Sequence, residues 1–250
     1  MRPFSGKVVI VTGGGAGIGR AVALRFAAQD ARVLVTGRRR EPLQTLAATQ
    51  PNIVFETADA GEAADASRTV RSAVDRFGRL DVLVNNAGAG SIMPLAEASA
   101  ERIADIFAAN VLGPSLLSRA ALPHLIQSGG VIVNVSSTFG SKAAASLSHY
   151  AASKAALEQL TRCWALELAP AGVRVNAVAP GPTDTTFLTQ RMGLSAEQAR
   201  AIEADERSRI PLGRRGAPED VAEWIVALAT PSASWITGQV LAVDGGLSIA

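Results

Sequence analysis

Short aliphatic runs recur along the whole chain, at Val8–Val11, Ala31–Val35, Ile53–Phe55, Val82–Val84, Val131–Val135, Val173–Val178 and Val240–Val243. They are β-branched and nearly continuous rather than alternating apolar with polar, the pattern of strands buried on both faces of a parallel sheet. Between them lie Ala-, Leu- and Arg-rich stretches with helical spacing: Arg20–Gln29, Ala63–Phe77, Glu101–Leu122 and Tyr150–Leu168. Strand–helix alternation of this kind predicts an α/β, doubly wound fold with helices on both faces of the sheet. No low-complexity linker or shift in composition divides the chain, so residues 1–250 are read as one domain. The stretch 185–215 departs from the alternation. It is polar, charged and helix-leaning, and marks a candidate lid.

Composition narrows the class. Nearly half of the residues are hydrophobic (48%) and the formal net charge is only +2. This excludes intrinsic disorder and gives no support to a general nucleic-acid binder. A single cysteine, Cys163, and two histidines leave no material for a disulfide or a His-rich metal site. The expectation is a reduced, cytoplasmic setting without a metal. Only four apolar residues in succession follow Lys7, fewer than the about 7–15 of a signal peptide, and no run suits a membrane helix.

The first strand leads into Thr12-Gly13-Gly14-Gly15-Ala16-Gly17-Ile18-Gly19-Arg20 and then a helix. Glycines at 13, 17 and 19 let the backbone turn tightly and approach a pyrophosphate, while the helix offers free N–H groups and a positive dipole end. Between a strand and a helix, this favours nucleotide binding over a purely steric turn. The second strand runs into Arg38-Arg39-Arg40 with no carboxylate before Glu41. An acidic residue there would hold the ribose hydroxyls of NAD, whereas a guanidinium grips the 2′-phosphate of NADP with two hydrogen bonds. NADP(H) is therefore the preferred cofactor, NAD(H) the second, with Arg38 or a neighbouring arginine as the phosphate ligand. A solvated basic turn or a nucleic-acid patch is the competing reading of these arginines.

Three strands end in asparagine, at Asn85, Asn134 and Asn176. Ligands in doubly wound sheets sit beyond the carboxyl ends of the strands, so these amides either line a crevice or simply favour turns. The chain has 21 arginines but three lysines, and its one tyrosine, Tyr150, lies four residues before Lys154 on a predicted helix. Positions i and i+4 share a helix face. A nearby ammonium favours the phenolate and brings a phenol toward the working pH range. Ser136 and Ser137 follow the strand Val131–Val135 and place a hydroxyl near that pair. A serine hydrolase would need a histidine base and a G-x-S-x-G elbow; only His124 and His149 exist and no elbow does.

Together, Thr12-Gly13-x-x-x-Gly17-x-Gly19, Asn85-Asn86-Ala87-Gly88, Ser137, Tyr150-x-x-x-Lys154, Pro180-Gly181 and Asp244-Gly245-Gly246 resemble, in order and spacing, the short-chain dehydrogenases/reductases. The resemblance implies a single Rossmann domain with a seven-stranded parallel sheet and NAD(P)(H)-dependent carbonyl–alcohol interconversion. It implies Tyr150 as general acid/base, Ser137 as the group that orients the carbonyl oxygen, and Lys154 as the residue that binds the nicotinamide ribose and lowers the Tyr150 pKa. Asn110 matches the asparagine of a water-linked proton relay, where the residues alone suggest a helix-surface amide. Asp59 matches the acidic residue beside the adenine, and Asn86, Ala87 and Gly88 the segment lining the cofactor. The turn from Pro180 through Gly181 and Thr183 to Thr185 matches the one holding the nicotinamide amide. One departure concerns Ala16, where many NADP-preferring relatives carry a basic residue. The expected function is reduction of a ketone or 3-oxoacyl carbonyl with NADPH. The same site run in reverse, as an alcohol dehydrogenase, and a dinucleotide-sensing regulator are the alternatives. Family habit suggests a homotetramer with the helices Glu101–Leu122 and Tyr150–Leu168 as subunit faces, which would make Cys163 and Trp164 core or interface residues.

Overall fold

Seven parallel strands form one sheet, in a computed structural model that describes residues 2–250. They are β1 (Val8–Thr12), β2 (Arg32–Gly37), β3 (Ile53–Thr57), β4 (Val82–Asn85), β5 (Val131–Val135), β6 (Arg174–Pro180) and β7 (Val240–Val243). Their spatial order is β3-β2-β1-β4-β5-β6-β7, so the order reverses between β1 and β4. The register places Val9 opposite Val33 on one side and Val82 on the other, which brings the carboxyl ends of β1 and β4 together.

Alternate residues of one strand enter different cores. Val9 and Val11 pack with α1 (Gly17–Ala27), α2 (Arg40–Thr49) and α9 (Pro218–Ala229), while Val8 and Ile10 pack with α3 (Ala63–Phe77), α5 (Gly113–Ser128) and α6 (Ser148–Leu168). Both faces are dry, and that is why the strands read as unbroken aliphatic runs. The remaining helices are α4 (Ala100–Phe107), α7 (Phe187–Gln190) and α8 (Ala196–Arg209). The polar stretch 185–215 thus holds two helices, α7 and α8. No helix among the described residues is long and apolar enough to cross a membrane.

The expected single helix over Glu101–Leu122 is in fact interrupted. A five-residue π-helical turn, Ala108–Leu112, separates α4 from α5. Pro114 has no N–H to give to the Asn110 carbonyl four residues earlier, so the regular ladder cannot continue there. The turn rotates Asn110 inward to complete burial, which overturns the surface reading of that amide. Cys163 lies on the outer face of α6, opposite the buried row Leu157, Thr161 and Ala165, and is exposed, so it is not part of the chain's own core. Trp164 is partly buried against the core beneath α3 and α5.

The three asparagines line no crevice and close no turn. Asn85 Nδ2 donates to Asn134 Oδ1 (2.9 Å) and to Ser118 Oγ, Asn134 Nδ2 donates to Thr161 Oγ1 (2.9 Å), and Asn176 bonds the backbone at Ile236 and Gln239. Asn85 and Asn134 are register partners, so the pair is a polar rung inside the sheet. Their burial with every partner supplied is what such depth demands.

At the opposite edge, Asp81 anchors β1 to β4. Its buried carboxylate accepts from Val8 N (3.0 Å), Lys7 Nζ (2.9 Å) and both Arg79 Nε (2.8 Å) and Nη2 (2.6 Å). Burial raises the Asp81 pKa, but the hydrogen bonds from Arg79, Val8 and Lys7 outweigh it and hold the carboxyl below its ordinary value. A depressed carboxylate contributes stability above its unfolded pKa and loses it as pH falls through the folded one. Asp81→Asn is expected to cost about 2 kcal/mol at pH 7. The difference from wild type should shrink below about pH 4, as read from denaturant midpoints at the two pH values.

Candidate active site

The glycine loop closes against the carboxyl end of β4 through Thr12. The Thr12 hydroxyl accepts from Asn86 N (3.0 Å) and Ala87 N (2.9 Å), and Asn86 Nδ2 donates back to Thr12 O (2.8 Å). A Cβ on Gly19 would collide with the Gly13 carbonyl, and one on Gly13, itself at φ +66°, would stand 2.9 Å from Asn86 Nδ2. Glycine is required at both positions by close approach. Helix α1 starts at Gly17 behind Ala16, with no side chain capping its first turn and no acidic residue in it. Uncapped N–H groups at a helix start, fronted by glycines, suit a pyrophosphate.

One cleft runs from this loop along the carboxyl edge of the sheet. It is lined by Gly13, Gly17, Ile18 and Gly19 at one end and by Ser137, Tyr150 and Lys154 at the other. Arg38, the Asn86–Ala87–Gly88 segment, and Pro180, Gly181, Thr183 and Thr185 of the turn after β6 complete its walls. Two expected residues lie off that surface. Asp59 stands behind Arg38, its carboxylate 3.9 Å from Nη1, and Asn110 lies beneath the cleft floor.

Tyr150, Ser137 and Lys154 are all buried, at 7%, 6% and 4% exposure. Ser136 and Ser137 part company here. The Ser136 hydroxyl turns inward to Glu158 Oε1 (2.8 Å), whereas Ser137 caps a short turn through Phe139 N (3.3 Å) and lines the cleft beside Tyr150. Burial raises the Tyr150 pKa, and the nearby Ser137 hydroxyl pulls it back only in part. The expected lowering of the phenol by its lysine neighbour is not what this structure shows. The Lys154 ammonium is 5.9 Å from the ring centroid and donates to the Val135 carbonyl (2.9 Å). Loss of water pushes Lys154 down to about 8, against an upward pull from Glu158. Desolvation therefore outweighs pairing for both groups.

Asn110 fastens the floor. Its Oδ1 accepts from Ala89 N (2.9 Å), and its Nδ2 donates to Ala89 O (2.8 Å) and Ser153 Oγ (2.9 Å). The β4 exit is thereby tied to α6 one residue before Lys154. Among the described residues no group of three or more His, Cys, Asp or Glu side chains could hold a metal ion.

Several groups around the cleft had no sequence signal. Arg215, 3% exposed at its side chain, bonds Asp184 (2.7 Å), the Thr183 carbonyl (2.6 Å) and Glu206 of α8. This buried network pins the stretch 185–215 to the turn after β6. Phe187 sets its ring 6.2 Å from that of Tyr150, and Met192 packs near Gly90. Their partners are remote in sequence, and no local pattern marks them.

Over residues 13–248 the chain matches the family model described as Enoyl-(Acyl carrier protein) reductase. It is 46% identical over 244 residues to a ketoacyl reductase assigned to the granaticin polyketide synthase of Streptomyces violaceoruber, covering 96% of this chain and 95% of that one. The chain belongs to the short-chain dehydrogenases/reductases. A 3-oxoacyl-[acyl-carrier-protein] reductase of Thermotoga maritima is 38% identical over 254 residues, covering 98% of this chain and 99% of the relative. Among solved structures, a 3-ketoacyl-(acyl-carrier-protein) reductase from Brucella melitensis complexed with NADH superposes with a TM-score of 0.92 at 35% identity, covering 98% and 99% of the two chains. As a family member, the protein is an NAD(P)-dependent oxidoreductase acting on carbonyl and alcohol groups.

The lysine makes a stability prediction. The unfolded chain binds a proton at Lys154 that the folded chain releases from about pH 8 upward, so stability gains with rising pH across that window. Relative to Lys154→Met, the wild type should gain about 2 kcal/mol between pH 7 and pH 9.5. Equal denaturation midpoints for the pair at both pH values would show that the amine is not desolvated.

Proposed function

We propose that this short-chain reductase reduces a ketone or 3-oxoacyl carbonyl to the alcohol, using NADPH. The observation that carries the reading is that buried Ser137 and Tyr150 line the same dry end of the cleft, beside Lys154. Two hydroxyls can hold one carbonyl oxygen, and the more acidic of them can give it a proton. A bound reduced nicotinamide would supply the hydride.

The division of labour follows from the surroundings. Ser137 orients the substrate oxygen against the phenol. Tyr150 stays protonated at neutral pH because burial holds its pKa up, so it is ready to donate as negative charge grows on that oxygen. Lys154 keeps one N–H on Val135 O and has two more to offer, which suit ribose hydroxyls and support the phenolate left behind. Its own pKa near 8 lets the amine pass on a proton close to working pH. Asn110 positions this group from below, and the Asn110 carbonyl, deprived of its helical donor by Pro114, is where the implied water relay to the lysine would begin.

The glycine loop and the α1 N-terminus would hold the pyrophosphate, and the turn Pro180–Thr185 the nicotinamide end. Arg38 faces the cleft as the expected ligand of a 2′-phosphate. The dry end is walled by Phe139, Phe187, Leu188 and Met192, which suits an apolar chain beside the carbonyl. The ketoacyl reductases among the relatives support the same substrate class.

Tyr150→Phe should fold, bind cofactor and lose about 10²–10⁴-fold in kcat, the range of a lost general acid. Retained turnover on a carbonyl panel would remove Tyr150 from the role. Arg38→Asp should raise KM for NADPH far more than for NADH, through charge repulsion of the phosphate. Equal effects on the two cofactors would remove Arg38.

A further inference from the structure

The basic end of the cleft holds more positive charge than the β2 turn alone provides. Arg38 and Arg39 line one wall, and Arg191, which follows α7, lines the other. Arg39 Nη2 donates to Gln190 Oε1 across the gap at 2.7 Å, so the end of α7 reaches the β2 turn. Arg40 takes no part; its guanidinium sits 5.2 Å over the Phe55 ring.

Arg191 is half-buried and forms no ion pair among the described residues. Lost water and the neighbouring Arg38 and Arg39 disfavour its charge, and Asp59 offsets them only in part. That one carboxylate already stands 3.9 Å from Arg38. Three guanidinium groups therefore gather at one end of the cleft around one acid, and of the three Arg191 has lost the most water. Like charges gathered around too few acids are what a bound anion relieves. The glycine loop adds no cation of its own, because Ala16 stands there.

We infer that Arg191 completes the cofactor's 2′-phosphate site from the opposite wall, so that the phosphate bridges Arg38 to α7 and draws this segment down over the dinucleotide. This rests on the NADPH reading above and adds a consequence to it. NADP(H) would order the wall beside Tyr150, through Phe187 and Met192, more fully than NAD(H) does. The phosphate would then report cofactor identity to the substrate end of the cleft, a second sense in which 185–215 is a lid.

The test needs no turnover. Isothermal titration of the full chain with NADP⁺ and NAD⁺ is compared for wild type, Arg191→Ala, Arg191→Lys and Arg38→Ala. Amide hydrogen exchange across α7 is followed with each dinucleotide at saturation. Arg191→Ala should lose about tenfold or more in NADP⁺ affinity and about twofold or less for NAD⁺, with Arg191→Lys between it and wild type. Wild-type α7 should be protected more by NADP⁺ than by NAD⁺, and Arg191→Ala should erase the difference. NADP⁺ preference kept by Arg191→Ala but lost by Arg38→Ala overturns this proposal and leaves the cofactor reading standing. Equal protection of wild-type α7 by the two dinucleotides overturns the closing motion. No preference in the wild type overturns both readings.

Discussion

Burying a sheet on both faces leaves its polar groups two fates. Inside the layers they must be paired, as Asn85, Asn134 and Thr161 are, because an unsatisfied amide there costs about 1–3 kcal/mol. Groups meant for a ligand have to stand where the strands run out. Thr12, at the last position of β1, and Ser137, two residues past the end of β5, mark that boundary. Thr12 spends its hydroxyl on shaping the Asn86–Ala87 backbone, while the Ser137 hydroxyl accepts from Phe139 N and lines the cleft. The reversal of strand order between β1 and β4 then decides where along that edge a crevice opens.

The two ends of the cleft differ in electrostatic character. At the dry end, lost water moves a phenol up and an amine down to about 8, with Ser137 and Glu158 opposing each shift. Both groups are held nearer their neutral forms, ready to exchange protons rather than to form a permanent ion pair. At the basic end, Arg38, Arg39 and Arg191 share one nearby carboxylate, Asp59. A ligand that is anionic at one end and carries a reactive ring at the other fits this polarity along its length.

Two features hold these ends in place. The π-helical turn between α4 and α5 buries Asn110, whose amide spends every hydrogen bond on Ala89 and Ser153 and so locks the floor to α6. Arg215 does the same for the wall, joining Asp184, Thr183 and Glu206. Both are buried polar hubs whose partners lie far away along the chain. Each rigidifies a surface that a ligand has to meet at fixed distances.

Much was legible without coordinates, because it is written in short-range periodicity. Continuous β-branched runs specified the seven strands, and the spacing of Gly13, Gly17 and Gly19 located the loop between β1 and α1. The i, i+4 spacing put Tyr150 and Lys154 on one face of α6, where both are found buried. What escaped the sequence depends on desolvation and on contacts between remote segments. Asn110 reads as a surface amide until Pro114 breaks the helix and turns it inward. The Asn85–Asn134 rung needs the register of two strands, and Arg39 meets Gln190 only across 151 residues. Local spacing determined which groups share a turn of helix or an end of strand. Tertiary packing alone decided which of them lost their water, and with it which charges are held, shifted or left waiting for a partner.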